Sequence, residues 1–542
     1  MTHATTANET GRLHSALIFA LIIVFIFLLH LSLLRLPYFW DEAGYYIPAA
    51  RDLLLTGSLI PRSTPSNAHP PLVMAYLALA WKIAGYSPLV TRSAMLLIAG
   101  FALFSLFRLA QRVANREVAV AATLCTALYP VFFTQSSLAQ VDLAAAGLIF
   151  AGLDTYIDDR QSATGLWFSL GALAKETAVL VPLALFAFEL FCWRRDGSNA
   201  HGDLCVHAGK HEGQKWRTAS LLFPLLPLAT WFGYHYLRTG YVFGNPDFFR
   251  YNVEATLNPT RILLALAMRV WQAFGYMQLG LLTLAMLLAM ARPPLRDKAG
   301  ERPRILLPVQ LVFLLIILVY IAAMAFVGGA VLARYLLPAV PLVIVVSVST
   351  LWRRVRHWKG VLAIVVFAFL MALFVNPPYG FSIEDNLAYR DYIRLHENAE
   401  KFLVARYPTA RVLTAWPASD ELSRPYLGYA NRPMRVFRVE NFTLEQVLSA
   451  VEVRSNFDVA LVFSTKYEPP HSLLEHWRAW EQLKTRFFGF HRDLPAAAVA
   501  QILGGEIVFS ESRHRQWVAV IALQKVEEAK HAIYGADDLL SR

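Results

Sequence analysis

The feature that most constrains this chain is a series of apolar runs, most of them long enough to cross a lipid bilayer as a helix. A spanning helix needs about 20 apolar residues, because its backbone must satisfy its own hydrogen bonds in the hydrocarbon core. The first run, Leu13 to Leu36, has that length and lacks a small-residue cleavage site, so we interpret it as a retained helix rather than a signal peptide. Further predicted spans are 88–108, 117–134, 141–157, 164–174 continuing to 178–192, 218–237, 262–291, 305–327, 335–352 and 360–376.

Composition agrees with a membrane protein. The 542 residues are 56% hydrophobic and 16% charged, whereas soluble proteins average about 45–50% apolar and about 25% charged residues. The aromatic content of 13% is too high for a disordered chain. The three cysteines lie in or beside apolar runs without CxxC spacing, so the sequence predicts neither a disulfide framework nor a zinc site.

Positive charge predicts the topology. The net charge of +11 is concentrated between apolar runs, and by the positive-inside rule these clusters are cytoplasmic. The clusters are Arg108/Arg112/Arg116, Arg194/Arg195/Lys210/Lys215/Arg217, Arg292/Arg296/Lys298/Arg302/Arg304 and Arg353/Arg354/Arg356/Lys359. Residues 164–192 form either one long helix or two, and only two helices that meet at Lys175 on the outer face keep every cluster inside. The prediction is a polytopic helical protein with eleven spans, a cytoplasmic amino terminus and an outer carboxyl terminus.

Two regions lie outside these spans. Residues 70–85 are apolar but short, and counting them as a span would invert the charge pattern, so we predict an interfacial helix in an outer loop, 37–87. The membrane domain is expected to cover 1–376, and 377–542 to form an outer α/β domain. Its predicted strands are 411–415, 434–439, 458–464 and 516–523, and its predicted helices are 443–451 and 472–487. No Walker or GxGxxG motif is present, so a nucleotide cofactor has no support.

Ionisable residues at membrane depth are costly and are candidates for function. In the predicted topology they collect on the outer face. Asp41 and Glu42 follow the first helix, and Asp142 opens another, so all three also fit ordinary helix caps. His69 precedes two prolines, which restrict its backbone, and a histidine in such a loop is often unremarkable.

Two further outer residues are cations. Lys175 is followed by Glu176, and this pair could simply neutralise itself. Arg334 has no positive-inside reason to lie on the outer face, and its planar guanidinium suits a phosphate group. Together the carboxylates and cations on one face indicate a site for an anionic, lipid-linked substrate.

At these residues the sequence resembles the GT-C integral-membrane glycosyltransferases. It is most similar to the bacterial group of dolichyl-phosphate-mannose protein mannosyltransferase-like proteins, lipid A aminoarabinose transferases and rhizobial galacturonosyl transferases (glycosyltransferase families 39 and 83). The resemblance extends over the 376-residue membrane part. The matching motifs, in order, are Asp41-Glu42, His69-Pro70-Pro71-Leu72, Asp142, Leu173-Ala174-Lys175 and Arg334-Tyr335-Leu336-Leu337-Pro338.

The resemblance implies inverting transfer of a sugar from a polyprenyl-phosphate donor to a lipid, glycan or protein acceptor, at the periplasmic face of the bacterial inner membrane. No nucleic acid is involved. Asp41 is then expected to be the general base, with Glu42 and Asp142 positioning the acceptor or the base. Arg334, with Lys175 and His69, is expected to hold the donor phosphate and stabilise its developing charge.

The sequence departs from aminoarabinose transferases at two positions. Those enzymes have Glu-Lys-Pro where this chain has Ala68-His69-Pro70, and an arginine where it has Gly44. A lysine contact to phosphate therefore does not carry over, and aminoarabinose is a doubtful donor. Protein-glycosylating members of the superfold use a divalent ion, so a metal cofactor at Asp41 and Asp142 stays open, without a ligand spacing that requires it.

Alternative functions are a flippase or transporter for lipid-linked sugars, an O-antigen ligase or polymerase, and a receptor that presents the 377–542 domain. A transporter predicts polar groups near the midplane and repeated helices, and neither is seen in the sequence. Ligases and polymerases usually place their chemistry in one large outer loop. The aromatic and basic loop 238–261 is either an interface belt or a cover over the donor.

Overall fold

The structure is a computed structural model that describes residues 2–195, 204–207, 213–298, 300–469 and 477–523. The chain forms two compact units. The first comprises Met1–Arg35, Tyr45–Asn376 and Glu384–Asn386, and the second comprises Leu36–Gly44, Pro377–Ile383 and Leu387–Arg542. This division differs from the predicted boundary at 376 in two segments, 36–44 and 384–386, which each belong to the opposite unit.

The first unit is helical. Its described helices, in order, are α1 (Thr2–His30), α2 (Ile47–Thr56), α3 (Leu72–Ala84), α4 (Pro88–Val113), α5 (Arg116–Leu128), α6 (Pro130–Gln135), α7 (Asp142–Ile157), α8 (Gln161–Ala174), α9 (Leu180–Arg195), α10 (Gln214–Ser220), α11 (Leu225–Thr239), α12 (Pro246–Asn252), α13 (Pro259–Phe274), α14 (Leu279–Met290), α15 (Leu307–Phe326), α16 (Val340–Arg354) and α17 (Trp358–Phe374). A two-stranded hairpin, β1 (Arg296–Asp297) and β2 (Gly300–Glu301), joins α14 to α15.

Five apolar helical segments in the described part of the chain are long enough to cross a membrane. They are Leu13–Leu33, Pro88–Val113, Glu176–Arg194, Pro259–Met290 and Leu307–Phe326. The chain is therefore a multi-pass membrane protein, whereas the count of eleven spans stays a prediction. Several predicted runs are divided in the structure, as where Pro130 begins a new helix after α5. Helix α3 has only 13 residues, a length of about 20 Å.

The break predicted at Lys175 is confirmed. Helix α8 ends at Ala174, and Lys175 has an extended backbone with φ −151° and ψ 133°. A 3₁₀ turn over Glu176–Val179 then leads into α9. Residues 164–192 are thus two helices rather than one, and the lysine side chain lies at the junction.

Helix α7 lies in the interior of the first unit. Every residue from Asp142 to Tyr156 is buried. Two glycines allow close neighbours, since a Cβ on Gly147 would lie 2.8 Å from the Ala102 Cβ and one on Gly152 would lie 2.4 Å from the Phe168 ring. This packing against α4 and α8 fixes the position of Asp142, the first residue of the helix.

A single disulfide, which no cysteine spacing in the sequence indicates, joins Cys192 and Cys205, with their Cα atoms 5.9 Å apart. The pair is separated by 13 residues and has no CxxC spacing, so the sequence pattern did not reveal it. Cys125 is a free, buried thiol.

The second unit contains a five-stranded mixed sheet. Its strands are β3 (Arg411–Ala415), β4 (Arg435–Val439), β5 (Val459–Phe463), β6 (Gly505–Arg513) and β7 (Gln516–Leu523), and their spatial order is β4-β3-β5-β7-β6. Strand β3 pairs in parallel with β4 and β5, whereas β7 pairs antiparallel with β5 and β6. The described helices are α18 (Ala388–Arg406), α19 (Ala418–Ser423), α20 (Leu444–Glu452), α21 (Arg478–Phe488) and α22 (Ala496–Leu503).

Four of these strands, β3, β4, β5 and β7, lie within about one residue of predicted strands, and β3, β5 and β7 coincide with apolar runs. Strand β5 is buried at every residue, as expected of the strand in the middle of the sheet. Strand β6, whose exposed residues are mostly polar, was not predicted. Residues 472–476, the start of the predicted helix 472–487, lie outside the described residues, and α21 covers 478–487.

The segment Leu36–Gly44 packs within the second unit. The Tyr38 backbone N–H donates to the Leu427 carbonyl at 3.2 Å. The Trp40 ring lies 4.9 Å from the Trp416 ring, centroid to centroid, in an edge-to-face arrangement. Asp41 and Glu42, which directly follow Trp40, are therefore attached to the unit that contains the sheet.

Candidate active site

The centre of the first unit contains a buried network of charged side chains. Lys175 Nζ donates to Asp142 Oδ1 in a very short contact, and Arg334 Nε lies 3.3 Å from Asp142 Oδ2. Arg334 also donates from Nη1 to Glu384 Oε1 at 2.6 Å. The relative exposure of these four residues is 2–7%. Three residues predicted from the sequence, Asp142, Lys175 and Arg334, are thus brought together.

Glu384 is a member of this network that the sequence reasoning missed. It follows the last apolar helix, in the stretch 377–542 that the sequence predicts to form the outer domain. Its carboxylate accepts from Gln140 Nε2 at 3.0 Å, and its carbonyl accepts from Thr134 Oγ1 at 2.6 Å. Its neighbour Asp385 accepts from the Tyr276 hydroxyl at 2.6 Å. The adjacent acidic pair after the last predicted span was the signal available in the sequence.

Three cationic side chains lie around the ring of Tyr335. Lys175 Nζ lies 4.1 Å from the ring centroid, and the guanidinium carbons of Arg269 and Arg334 each lie 5.5 Å from it. Arg269 has no exposed surface and donates to the Leu332 carbonyl at 2.6 Å. The region therefore contains three buried cations beside three buried carboxylates, those of Asp142, Glu384 and Asp385.

His69 forms a neighbouring but separate group. Its Nδ1 lies 3.2 Å from Glu176 Oε2, and its ring lies within 6 Å of those of Tyr45 and Tyr46. Lys175 and Glu176 do not contact each other alone, since Lys175 pairs with Asp142 and Glu176 lies against His69. The Phe248 ring in α12 contacts the His69 ring at 5.7 Å, so part of the loop 238–261 packs on this segment.

The backbone around His69 is held tightly. Ala68 has a left-handed backbone with φ +56°, and its carbonyl accepts from Trp231 Nε1 at 2.8 Å. The preceding Ser66 hydroxyl lies 2.8 Å from His235 Nε2, and its carbonyl accepts from the Asn245 backbone N–H at 2.9 Å. These bonds to α11 and α12 fix the direction in which His69 points.

Asp41 and Glu42 belong to the other unit. Glu42 has no exposed surface, and its Oε2 accepts from the Phe39 backbone N–H at 2.9 Å. This bond is of the capping kind, because the carboxylate satisfies a backbone donor at the start of a helical turn, Glu42–Tyr46. Asp41 is half-buried.

Asp142 does not fit a divalent metal ligand in this arrangement. Each of its oxygens faces a cation, Lys175 on one side and Arg334 on the other. A metal ion there would have to displace or repel both. The Asp142 carboxylate is therefore occupied by its two cations, and its surroundings do not fit a metal ligand.

Comparisons with known proteins agree with a membrane glycosyltransferase fold. The sequence model of a family described as dolichyl-phosphate-mannose-protein mannosyltransferase matches residues 68–205. That range includes His69, Asp142 and Lys175. A search of curated proteins finds no match.

Solved structures match nearly the whole chain. ArnT from Cupriavidus metallidurans in the apo state has a TM-score of 0.50 and 14% identity, with 95% of this chain and 98% of that chain covered. The same protein bound to undecaprenyl phosphate has a TM-score of 0.50 and 12% identity, with 93% of this chain and 97% of that chain covered. An Archaeoglobus fulgidus oligosaccharyltransferase in the apo form has a TM-score of 0.45 and 12% identity, with 83% of this chain and 69% of that chain covered. The chain therefore shares the fold of ArnT.

Proposed function

We propose that the chain is an inverting glycosyltransferase that moves a sugar from a polyprenyl-phosphate donor to an acceptor hydroxyl or amine. The observation that carries this proposal is the buried cluster of Lys175, Arg334 and Arg269 around Tyr335. A lipid phosphate supplies the charge that such a cluster would bind, and it makes a nucleotide unnecessary. ArnT, whose fold the chain shares, has been solved with undecaprenyl phosphate.

In the proposed reaction the acceptor attacks the anomeric carbon as the bond to the lipid phosphate breaks. The electron pair of that bond leaves with the phosphate oxygen. Asp41 takes the acceptor proton as the general base, and Glu42 holds the backbone around it. Arg334 and Lys175 stabilise the phosphate as its charge increases, and His69 is a further donor to it. Asp142 positions both cations.

The topology belongs to the same proposal. We place the protein in a bacterial inner membrane with eleven spans, its amino terminus in the cytoplasm and the unit with the five-stranded sheet in the periplasm. The acceptor is a lipid, a glycan or a protein of the cell envelope. A cysteine-accessibility scan checks this arrangement, because a cysteine introduced at Arg432, an exposed position of the second unit, should react with a membrane-impermeant maleimide in intact spheroplasts.

Binding of undecaprenyl phosphate to the full-length protein in detergent tests the site. Arg334→Gln should weaken binding by roughly tenfold or more, since a hydrogen bond to a charged group contributes about 1.5–3 kcal/mol. Arg296→Gln is the matched control, because that arginine lies in the β1–β2 hairpin with a side chain that is 78% exposed. Equal affinity for wild type and Arg334→Gln would count against a phosphate role.

A transporter for lipid-linked sugars is distinguished by the product. A transferase consumes the donor and attaches its sugar to a second molecule, whereas a transporter leaves the donor intact on the other leaflet. Retention of full activity by Asp41→Asn would favour the transporter, because that function needs no general base.

A further inference from the structure

The second unit contains a buried cluster of His396, Glu400 and Glu421 that the proposed reaction does not use. We propose that these three side chains bind one divalent transition-metal ion, and that Zn²⁺ suits the donor set. The inference is independent of the proposed glycosyl transfer. It places a structural ion beneath the segment that carries Asp41.

Two helices assemble the cluster. Helix α18 contributes Tyr392, His396 and Glu400, whose spacing of four residues puts them on one face. Helix α19 contributes Glu421. One potential ligand atom from each of His396, Glu400 and Glu421 lies within 4.8 Å of the others. Tetrahedral Zn²⁺ ligands at about 2.0–2.2 Å from the ion lie roughly 3.3–3.6 Å apart, so the three side chains must move closer together to share one ion.

The charges in the cluster call for a cation. His396, Glu400 and Glu421 are each at most 1% exposed. Within the described residues no N–H group or hydroxyl donates to either oxygen of Glu400 or to Oε1 of Glu421, while the Glu400 and Glu421 carboxyl groups are close enough to share a hydrogen bond when one is protonated. The charges acting on Glu400 come from Glu421 and Glu397, both negative. Burial and these two carboxylates raise the pKa of Glu400 well above its usual range.

A buried carboxylate without a partner is strongly unfavourable, so the site needs either a proton or a metal ion. One proton shared between Glu400 and Glu421 would leave a single negative charge, which a protonated His396 could balance. A divalent ion would neutralise both carboxylates and use the imidazole nitrogen as well. His396 Nδ1 lies 2.6 Å from Glu421 Oε2 in a hydrogen bond, which leaves His396 Nε2, Glu421 Oε1 and both oxygens of Glu400 without a hydrogen-bond partner among the described residues.

The surrounding aromatic residues connect the cluster to the chain before Asp41. The Tyr392 ring stacks on the His396 ring with their centroids 4.1 Å apart. Its centroid lies 5.4 Å from that of Phe39 and 5.9 Å from that of Trp40. The hydroxyls of Tyr392 and Tyr429 are buried and have no hydrogen-bond partner in the described part of the unit. Both hydroxyls are near enough to Glu400 and Glu421 for those carboxylates, after burial itself, to raise their pKa. An ion that holds His396 in place thus also holds the Tyr392 ring, against which Phe39 and Trp40 pack.

Metal analysis of the full chain tests the proposal. The protein is purified in detergent from zinc-supplemented cells, its affinity tag is removed, and bound metals are measured by mass spectrometry. We expect about one Zn²⁺ per chain, and at least a roughly tenfold lower content in Glu400→Gln and in His396→Gln, because each loses one of three ligands. Glu397→Gln on the same helix is the matched control and should retain the ion, since Glu397 pairs with Lys401.

Thermal unfolding separates the metal from a shared proton. A strong chelator should lower the unfolding temperature of wild type and of Glu397→Gln, but not that of Glu400→Gln. Wild-type protein with less than about one tenth of an ion per chain, and no response to chelator or added Zn²⁺, would overturn the proposal. So would Glu400→Gln with wild-type metal content. Either result would leave a proton-sharing carboxyl pair, for which Glu400→Gln should be neutral or stabilising.

Discussion

Arg334 and Glu384 form a buried ion pair between residues that are 50 positions apart in the sequence, with Nη1 2.6 Å from Oε1. Each side chain is only 3% exposed. The pair ties the chain after the last apolar helix to the cluster around Asp142. Its two members should therefore contribute to stability together, while only Arg334 contributes to binding phosphate.

Removing one member of this pair should be far more harmful than removing both. Glu384→Leu leaves the Arg334 charge buried, and breaking a buried pair in this way costs about 3–5 kcal/mol. The double variant Arg334→Met/Glu384→Leu should recover much of that loss, because no uncompensated charge remains. Thermal unfolding in detergent measures both effects.

The same double variant separates folding from function. It should unfold near the wild-type temperature yet fail to bind undecaprenyl phosphate. A double variant that is as unstable as Glu384→Leu would contradict the ion-pair explanation, and one that binds the lipid normally would contradict the role of Arg334.

The ring of Tyr335 should contribute to holding the neighbouring cations. Tyr335→Phe keeps an aromatic face 4.1 Å from Lys175 Nζ, so it should retain more stability than a variant without a ring. Tyr335→Leu loses that face and should cost about 0.5–2 kcal/mol. Thermal unfolding of the two variants compares them, and equal losses would show that the cation–ring contacts do not stabilise the site.

Ala68 offers a test of the backbone that holds His69. Its φ of +56° is a left-handed conformation, which costs a residue with a Cβ about 1–2 kcal/mol. Ala68→Gly should therefore be neutral or slightly stabilising, whereas Ala68→Val should be destabilising and should displace His69. Unfolding temperatures check this order, and a marked loss in the glycine variant would argue against the conformation.

Gly147 tests the packing that places Asp142. A Cβ there would lie 2.8 Å from the Ala102 Cβ and 2.9 Å from its Cα, so Gly147→Ala should cost about 1–3 kcal/mol by overpacking. Gly233 in α11 is the matched control, because no atom lies within 4 Å of its added Cβ. Gly233→Ala should be neutral or stabilising by about 0.5–1 kcal/mol, owing to the better helix propensity of alanine. Equal effects in the two variants would contradict the close contact between α7 and α4.

Local sequence patterns predicted part of this structure. Strands β3, β5 and β7 coincide with apolar runs, and charge placement predicted the break at Lys175. Both are decided by residues near one another along the chain. The predicted grouping of Asp142, Lys175 and Arg334 relied on the family resemblance as well as on their polarity.

The remaining features depend on tertiary contacts that local patterns do not encode. Glu384 lies in a polar stretch whose local pattern resembles that of the rest of 377–542, yet it is hydrogen-bonded to Thr134 and Arg334. The Cys192–Cys205 disulfide joins two positions 13 residues apart without any sequence motif. The His396 and Glu421 pair comes from two helices that only the folded sheet brings together.

The most direct test of the central claim is the lipid content of a strain that lacks this protein. Mass spectrometry of lipid extracts should reveal accumulation of one polyprenyl-phosphate sugar and loss of that sugar from the cell envelope. Wild type and Arg296→Gln should restore both, while Asp41→Asn, present at the same level in the membrane, should restore neither. Absence of any accumulated donor, or full complementation by Asp41→Asn, would contradict the account.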